Sequence, residues 1–202
     1  MIKTYLTVAF TLSSLCLFAQ SRFGIRAGLN LASQYVREGD YSATTKVAPR
    51  LHLTTYYDAR ISPGFSIQPG ISLEGKGGKS KVEGADYYDK FIYIQVPVNF
   101  LGSVPIRSGE FFFGGGPYFA YGIDAKLTAG NQAMYLDWGS GPEQLNPFDL
   151  GLQAIVGYRL LNRLNFSISS SAGLMNISNQ DTKYLNRVTS ISVGCEFGKR
   201  NK

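Results

Sequence analysis

The chain has 202 residues, a formal net charge of +6 and 44% hydrophobic residues. That is length enough for one domain, and a mean hydropathy of −0.06 argues against a bundle of membrane-spanning helices. Twenty-three Gly, 13 Tyr and 13 Phe against one Trp suit strands joined by tight turns. Basic residues are scattered apart from the runs at 76–81 and 199–202, which read as solvated loops and ends, so nucleic acid is not an expected partner.

Residues 1–19 read as an export signal. Lys3 supplies the positive start, residues 4–18 the apolar run, and Ala19 a small residue before Gln20. Cleavage after Ala19 leaves 20–202 as the mature domain. Leu15 is too bulky ahead of Cys16 for a lipoprotein site. Cys195 is then the sole cysteine, which excludes a disulfide framework and argues against a Cys-based metal site.

The rest alternates between apolar and polar residues with a period of two. Residues 22–32 place Phe23, Ile25, Leu29 and Leu31 on one face and Gly24, Arg26, Gly28 and Asn30 on the other. Further strands are expected over 47–57, 64–75, 91–100, 111–123, 148–160, 164–174 and 187–197. The links at 33–46, 76–90, 124–147 and 176–186 are long and polar, and those at 58–63, 102–109 and 161–163 are shorter. Alternating long and short links predict an all-β, eight-stranded antiparallel up-and-down transmembrane barrel, with long loops outside and short turns in the periplasm. The Gly- and Ser-rich polar face suits a cramped lumen, and the aliphatic and aromatic face suits lipid. A lipocalin-like soluble barrel has the same strand count with reversed faces. The signal, the strand lengths and the Phe and Tyr residues at strand ends favour the outer membrane.

The stretches FGIRAGLNLA, ISPGFSIQPGISLEGKGGK, YIQVPVNF, GPYFAYG and FDLGLQAIVGYRL resemble the PorT-like outer-membrane β-barrel family of Bacteroidota. The resemblance spans nearly the whole mature chain. It implies the fold and the location, and it brings no catalytic residues.

Candidate chemistry is sparse. Residues 70–77 approach a phosphate-binding loop, but Gly77 stands where Ser or Thr should hold magnesium and no helix follows. His52, the only histidine, lies on the polar face with Ser66, Ser72, Glu74 and Glu196 on other strands, which leaves a lipid-ester hydrolase as an alternative. One histidine cannot build a His-rich metal site, so neither metal nor cofactor is expected. Gly114 to Pro117 predict a bulge. In the longest link, Tyr135 and Trp138 are candidates for outer-loop contacts or for an aromatic girdle.

The lumen carries the remaining expectation. Arg26, Arg50 and Arg159 point inward, with Glu74, Glu110 and Glu196 as counter-charges. Ser72 is placed opposite Arg50, which makes Glu74 its diagonal partner. Arg26 and Glu196 are expected to meet where the barrel closes. Eight strands enclose a space that side chains can fill, so the lumen is expected to be plugged. The expected role is structural or interactive, without catalysis, through the outer loops, with a small porin or solute pathway as the alternative. The expected partners are outer-membrane lipid and other envelope proteins, and the expected state is a monomer.

Overall fold

The computed structural model describes residues 21–82, 84–130 and 132–198, the side chain of Val82 excepted. The expected signal at 1–19 lies outside them. Ten strands follow one another: β1 (Arg22–Glu38), β2 (Tyr41–Thr44), β3 (Ala48–Ser62), β4 (Phe65–Val82), β5 (Ala85–Ile106), β6 (Gly109–Ala129), β7 (Gln132–Tyr135), β8 (Phe148–Leu160), β9 (Leu164–Gly173) and β10 (Lys183–Phe197). Eight of them form an antiparallel ring in the order β1, β3, β4, β5, β6, β8, β9, β10, and β10 returns to pair with β1. The closing ladder runs without a slip from Phe23 opposite Phe197 to Arg37 opposite Lys183. Closure leaves no sheet edge along the ring, which is what lipid demands of backbone N–H and C=O groups.

The faces are inverted relative to a soluble barrel. Leu53 is 49% exposed on the outside, whereas Gln68 is 1% exposed on the inside. The same contrast holds for Phe23, Ile94 and Ile191 against Arg26, Gln95 and Asn165. The outward apolar belt covers residues 23–31 of β1, 92–104 of β5, 111–123 of β6 and 189–197 of β10.

Several strands continue far beyond the expected ends. β4, β5 and β6 have 18, 22 and 21 residues. Much of what reads as long loops is therefore paired sheet standing above the belt. Val82 pairs with Ala85 at the tip of one hairpin, and β2 and β7 add short strands to the tops of β1 and β6. Toward the hairpin tips, at residues 79–81, 85–88 and 126–129, neither face is buried. Polar residues there occupy both parities, so alternation no longer announces a strand although pairing persists.

The expected bulge at Gly114 to Pro117 does not form. β6 keeps its register with β8 through the whole stretch, from Gly114 opposite Ile155 to Pro117 opposite Leu152. The slip on β6 occurs higher, where Ile92 pairs with Asp124 but Tyr93 with Gly122. The glycines serve close approach instead: a Cβ on Gly116 would lie 1.9 Å from the carbonyl oxygen of Val98.

The face assignment has a direct check. Val96 and Ile168 are outward and exposed. Val96→Arg and Ile168→Arg are each expected to cost about 2–4 kcal/mol near the bilayer midplane. The cost reads out as a lower urea midpoint for protein refolded into vesicles. Unchanged midpoints for both would mean that the outward belt is not in lipid.

Candidate functional site

The interior is built in three storeys. At the end where β1 begins, β10 ends and the short turns lie, Arg159 faces three carboxylates: Asp58 at 2.9 Å, Glu196 at 2.8 Å and Glu110 at 3.2 Å. Arg22 reaches Glu196 at 3.2 Å and Glu110 at 3.3 Å, and Arg60 also pairs with Glu110. Three guanidinium groups thus meet three carboxylates, and the cluster is neutral. Arg159 and Asp58 are almost completely buried, where an unpaired charge would be costly. Of the inward charges named from the sequence, Glu110, Arg159 and Glu196 come together here. Arg22, Asp58 and Arg60 complete the set, although their places near strand ends read as entry and turn residues.

In the middle storey two expected pairs do not form. Arg26 does not reach Glu196. Its guanidinium lies 4.6 Å over the Tyr56 ring and 3.5 Å from Gln68 Oε1. The Tyr56 hydroxyl intervenes and donates to Glu196 at 3.2 Å. Register separates the other pair. His52, not Arg50, stands opposite Glu74, and Ser72 stands opposite Thr54. Arg50 therefore sits one level too high and donates to the Asp89 carbonyl at 2.7 Å. Glu74 accepts from Asn30 at 2.7 Å instead.

His52 is held between Asn30 and Ser192. Its Nδ1 is 2.6 Å from Asn30 Oδ1, and its Nε2 is 3.1 Å from Ser192 Oγ. Asn30 Oδ1 only accepts, so Nδ1 carries the proton and Nε2 accepts from Ser192. Ser66, Ser72 and Glu196 are not among these contacts. The void beside His52 measures about 30 Å³. That is room for ordered water and too little for an ester.

The upper storey was not anticipated. Lys76 is 1% exposed and lies 3.0 Å from Asp149, itself fully buried. The ammonium sits 4.3 Å from the Tyr118 ring centre and 5.0 Å from that of Tyr93, and Asn186 donates to Asp149 at 2.9 Å. Above this pair, Phe91, Tyr93, Tyr118 and Ile177 form an apolar cluster with Leu136, Trp138, Leu145 and Tyr184 packed on it. The link between β7 and β8 folds inward to supply three of these residues. Trp138 lies edge-on to Tyr93 at 5.4 Å, and its indole covers Gly122, where any Cβ would sit 2.5 Å from the ring. Trp138 is therefore a stopper in the mouth and not part of an outer girdle. Tyr135 stays outside, 70% exposed beside Lys126.

Over the stopper the tall hairpins enclose a cleft of about 760 Å³. Phe91, Leu136, Leu145, Ile177 and Tyr184 give it an apolar floor, and Lys46 stands at its rim. The Gln34 side chain lines the cleft, and its carbonyl oxygen is buried there without a hydrogen-bond partner among the described residues. Asp89, above the belt, shares the wall, and burial holds its carboxyl up at about 6.

A closed ring with an apolar exterior and a neutralised polar interior defines a transmembrane β-barrel. Residues 18–179 match the family described as outer membrane protein beta-barrel domain. The chain belongs to that family, and its place is the outer membrane. Solved structures similar to it include the attachment invasion locus protein Ail of Yersinia pestis, 12% identical with a TM-score of 0.47, over 88% of this chain and 99% of that one. Neisserial surface protein A is 12% identical at 0.47, over 87% and 97%. OprG of Pseudomonas aeruginosa is 14% identical at 0.36, over 89% and 97%. No curated protein matches the sequence significantly.

Two outcomes test the site. Asp149→Asn strands the Lys76 ammonium and is expected to cost about 3–5 kcal/mol, whereas Lys76→Met combined with Asp149→Asn costs much less. Urea unfolding of the refolded variants measures both, and equal losses would remove the pair from the account. The second outcome concerns Asp89. Its folded-state pKa of about 6 exceeds the ordinary 3.8, so stability falls as pH rises between these values. Asp89→Asn should therefore gain about 1–2 kcal/mol at pH 7 and nothing below the lower value. A gain that is the same at both pH values would contradict the burial of that carboxyl.

Proposed function

We propose that this protein is a closed, non-conducting outer-membrane barrel that acts outside the membrane, by holding a ligand or partner segment in the cleft framed by its tall hairpins. The proposal includes an export signal cleaved after Ala19, a mature barrel of 20–202, a monomeric state and membership of the PorT-like group, on the motifs quoted above. The observation that carries it is the stacking of a large cleft on a stopped mouth. About 760 Å³ lies above the Trp138 stopper, and about 30 Å³ lies in the void beside His52 below it. A solute pathway would need a continuous polar channel, and this lumen is interrupted at each storey by packed side chains. The occupant suited to the cleft carries apolar groups for Phe91 and Leu136 and a hydrogen-bond donor for Gln34 Oε1.

The alternative of a hydrolase around His52 gains a Ser192–His52–Asn30 relay from the geometry. It gains no space for a substrate and no donor pair for an oxyanion, and Asn30 is already engaged by Ser190 and Glu74. Buried inward, these residues act as mutual hydrogen-bond satisfaction for the lumen.

Single-channel recording on refolded protein tests the reading. The expected outcome is a bilayer that stays silent at both polarities. A stable, reproducible open level would overturn the closed lumen and make a small porin the better description.

A further inference from the structure

Above the apolar belt, two places on the outer wall set like charges directly across a ladder. On the closing seam, Arg37 faces Lys183, and Arg187 stands opposite Ser33, one outward pair above Leu31 and Thr189. Strand parity puts all three cations on the lipid-facing side, in line with Phe23, Leu29 and Ile191. All three are exposed. On β5 and β6, Lys90 faces Lys126 at the next outward pair above Ile92 and Asp124. In the ring order these two seams are diametrically opposite.

Like charges directly opposite destabilise a sheet. None of these five cations enters a salt bridge among the described residues, whereas Arg159 and Lys76 in the lumen each meet a carboxylate within 3.0 Å. The outward neighbours on the closing seam are Ser33, Tyr35 and Leu185, with no carboxylate among them. On the other seam Asp124 sits one pair below. Each seam also stacks a cation on an aromatic ring: Arg187 lies 4.9 Å from the centre of Tyr35 and Lys126 lies 5.2 Å from that of Tyr135. An aromatic and basic collar directly above an acyl-chain belt stands at headgroup height.

We infer that the two seams bind the phosphate groups of a phosphorylated outer-leaflet lipid. The inference rests on the membrane placement of the belt and not on the cleft. A phosphate between Arg37 and Lys183 relieves their repulsion. The Arg187 fork, held flat by Tyr35, presents donors in the geometry that suits phosphate oxygens. The lipid's acyl chains then lie along Leu29, Leu31 and Ile191 below.

The experiment uses the full mature chain refolded into phosphatidylcholine nanodiscs doped with diphosphoryl lipid A or with its dephosphorylated form. Native mass spectrometry counts the lipid retained on the ejected protein. Wild type is expected to retain the phosphorylated form preferentially. Lys183→Gln with Arg187→Gln, and separately Lys90→Gln with Lys126→Gln, are expected to lower retention about fivefold per removed charge. Gel migration of unboiled samples confirms that each variant is a folded barrel, and none of the four residues lies in the lumen. Equal retention of both lipid forms, or unchanged retention in both double variants, overturns the proposal. So does binding of soluble polyglutamate at the seams without preference for lipid A. Loss of lipid A binding with a silent bilayer, or the reverse, separates this inference from the closed-lumen reading.

Discussion

The constraint on which the rest depends is that charge inside a narrow, lipid-wrapped ring must cancel locally. Arg159 shows how it is met. One guanidinium faces Asp58, Glu110 and Glu196 from three other strands, and Arg22 and Arg60 restore neutrality from the rim. These contacts span the lumen, so they hold opposite walls at a set distance while the ladders hold neighbouring strands. Breaking one member leaves the others buried without counter-charge, which is why such clusters specify geometry more than they add net stability. Lys76 and Asp149 repeat the arrangement near the other mouth. The barrel is braced at both ends by neutral ionic sets and filled between them by Tyr56, Gln68 and Asn30.

That bracing has a consequence for where work can be done. A solute would have to separate paired buried charges at two levels and then displace Trp138 from its seat on Gly122. Each step exposes groups whose only good partners are one another. The hairpins above the belt carry no such burden. They stand in water and are stiffened by continued pairing, Lys79 with Tyr88 and Lys46 bridging to Lys79 across a neighbouring hairpin. A paired wall loses less freedom on binding than a loose loop does, so a cleft built of strands is better preorganised for a ligand.

Legibility in the sequence followed burial. Inside the belt one face meets lipid and the other a polar lumen, so Ile92, Ile94, Val96 and Val98 announce both strand and orientation. The expected eight-strand ring and its faces agree with the structure for that reason. Above the belt that contrast vanishes, and Lys79 to Val82 read as loop although they are paired. Register was the second limit. Parity was right for Arg50 and Glu74, but a shift of two like-facing steps put Thr54 opposite Ser72 and His52 opposite Glu74, and left Arg50 with the Asp89 carbonyl. No local pattern encodes that shift, which depends on the whole length of the ladder. Lys76 was harder still. Its run of Lys and Gly looks solvated, and its partner Asp149 lies across the lumen, a contact that sequence spacing cannot express.

Trp138 draws these points together. In the chain it sits among Gly, Ser and Asp in the longest link, where an exposed aromatic usually means a girdle or a contact surface. Its position is decided instead by a glycine on another element. Gly122 faces inward near the top of β6, and the missing Cβ leaves a recess that the indole fills against Phe91 and Tyr93. The bridges of Leu145 to Trp138 and to Ser178 then hold the link over the mouth. One small residue on a strand and one large residue on a link thus pack together at the top of the lumen. Beneath the indole, Lys76 is paired with Asp149, and above it Gln34 Oε1 lacks a hydrogen-bond partner among the described residues.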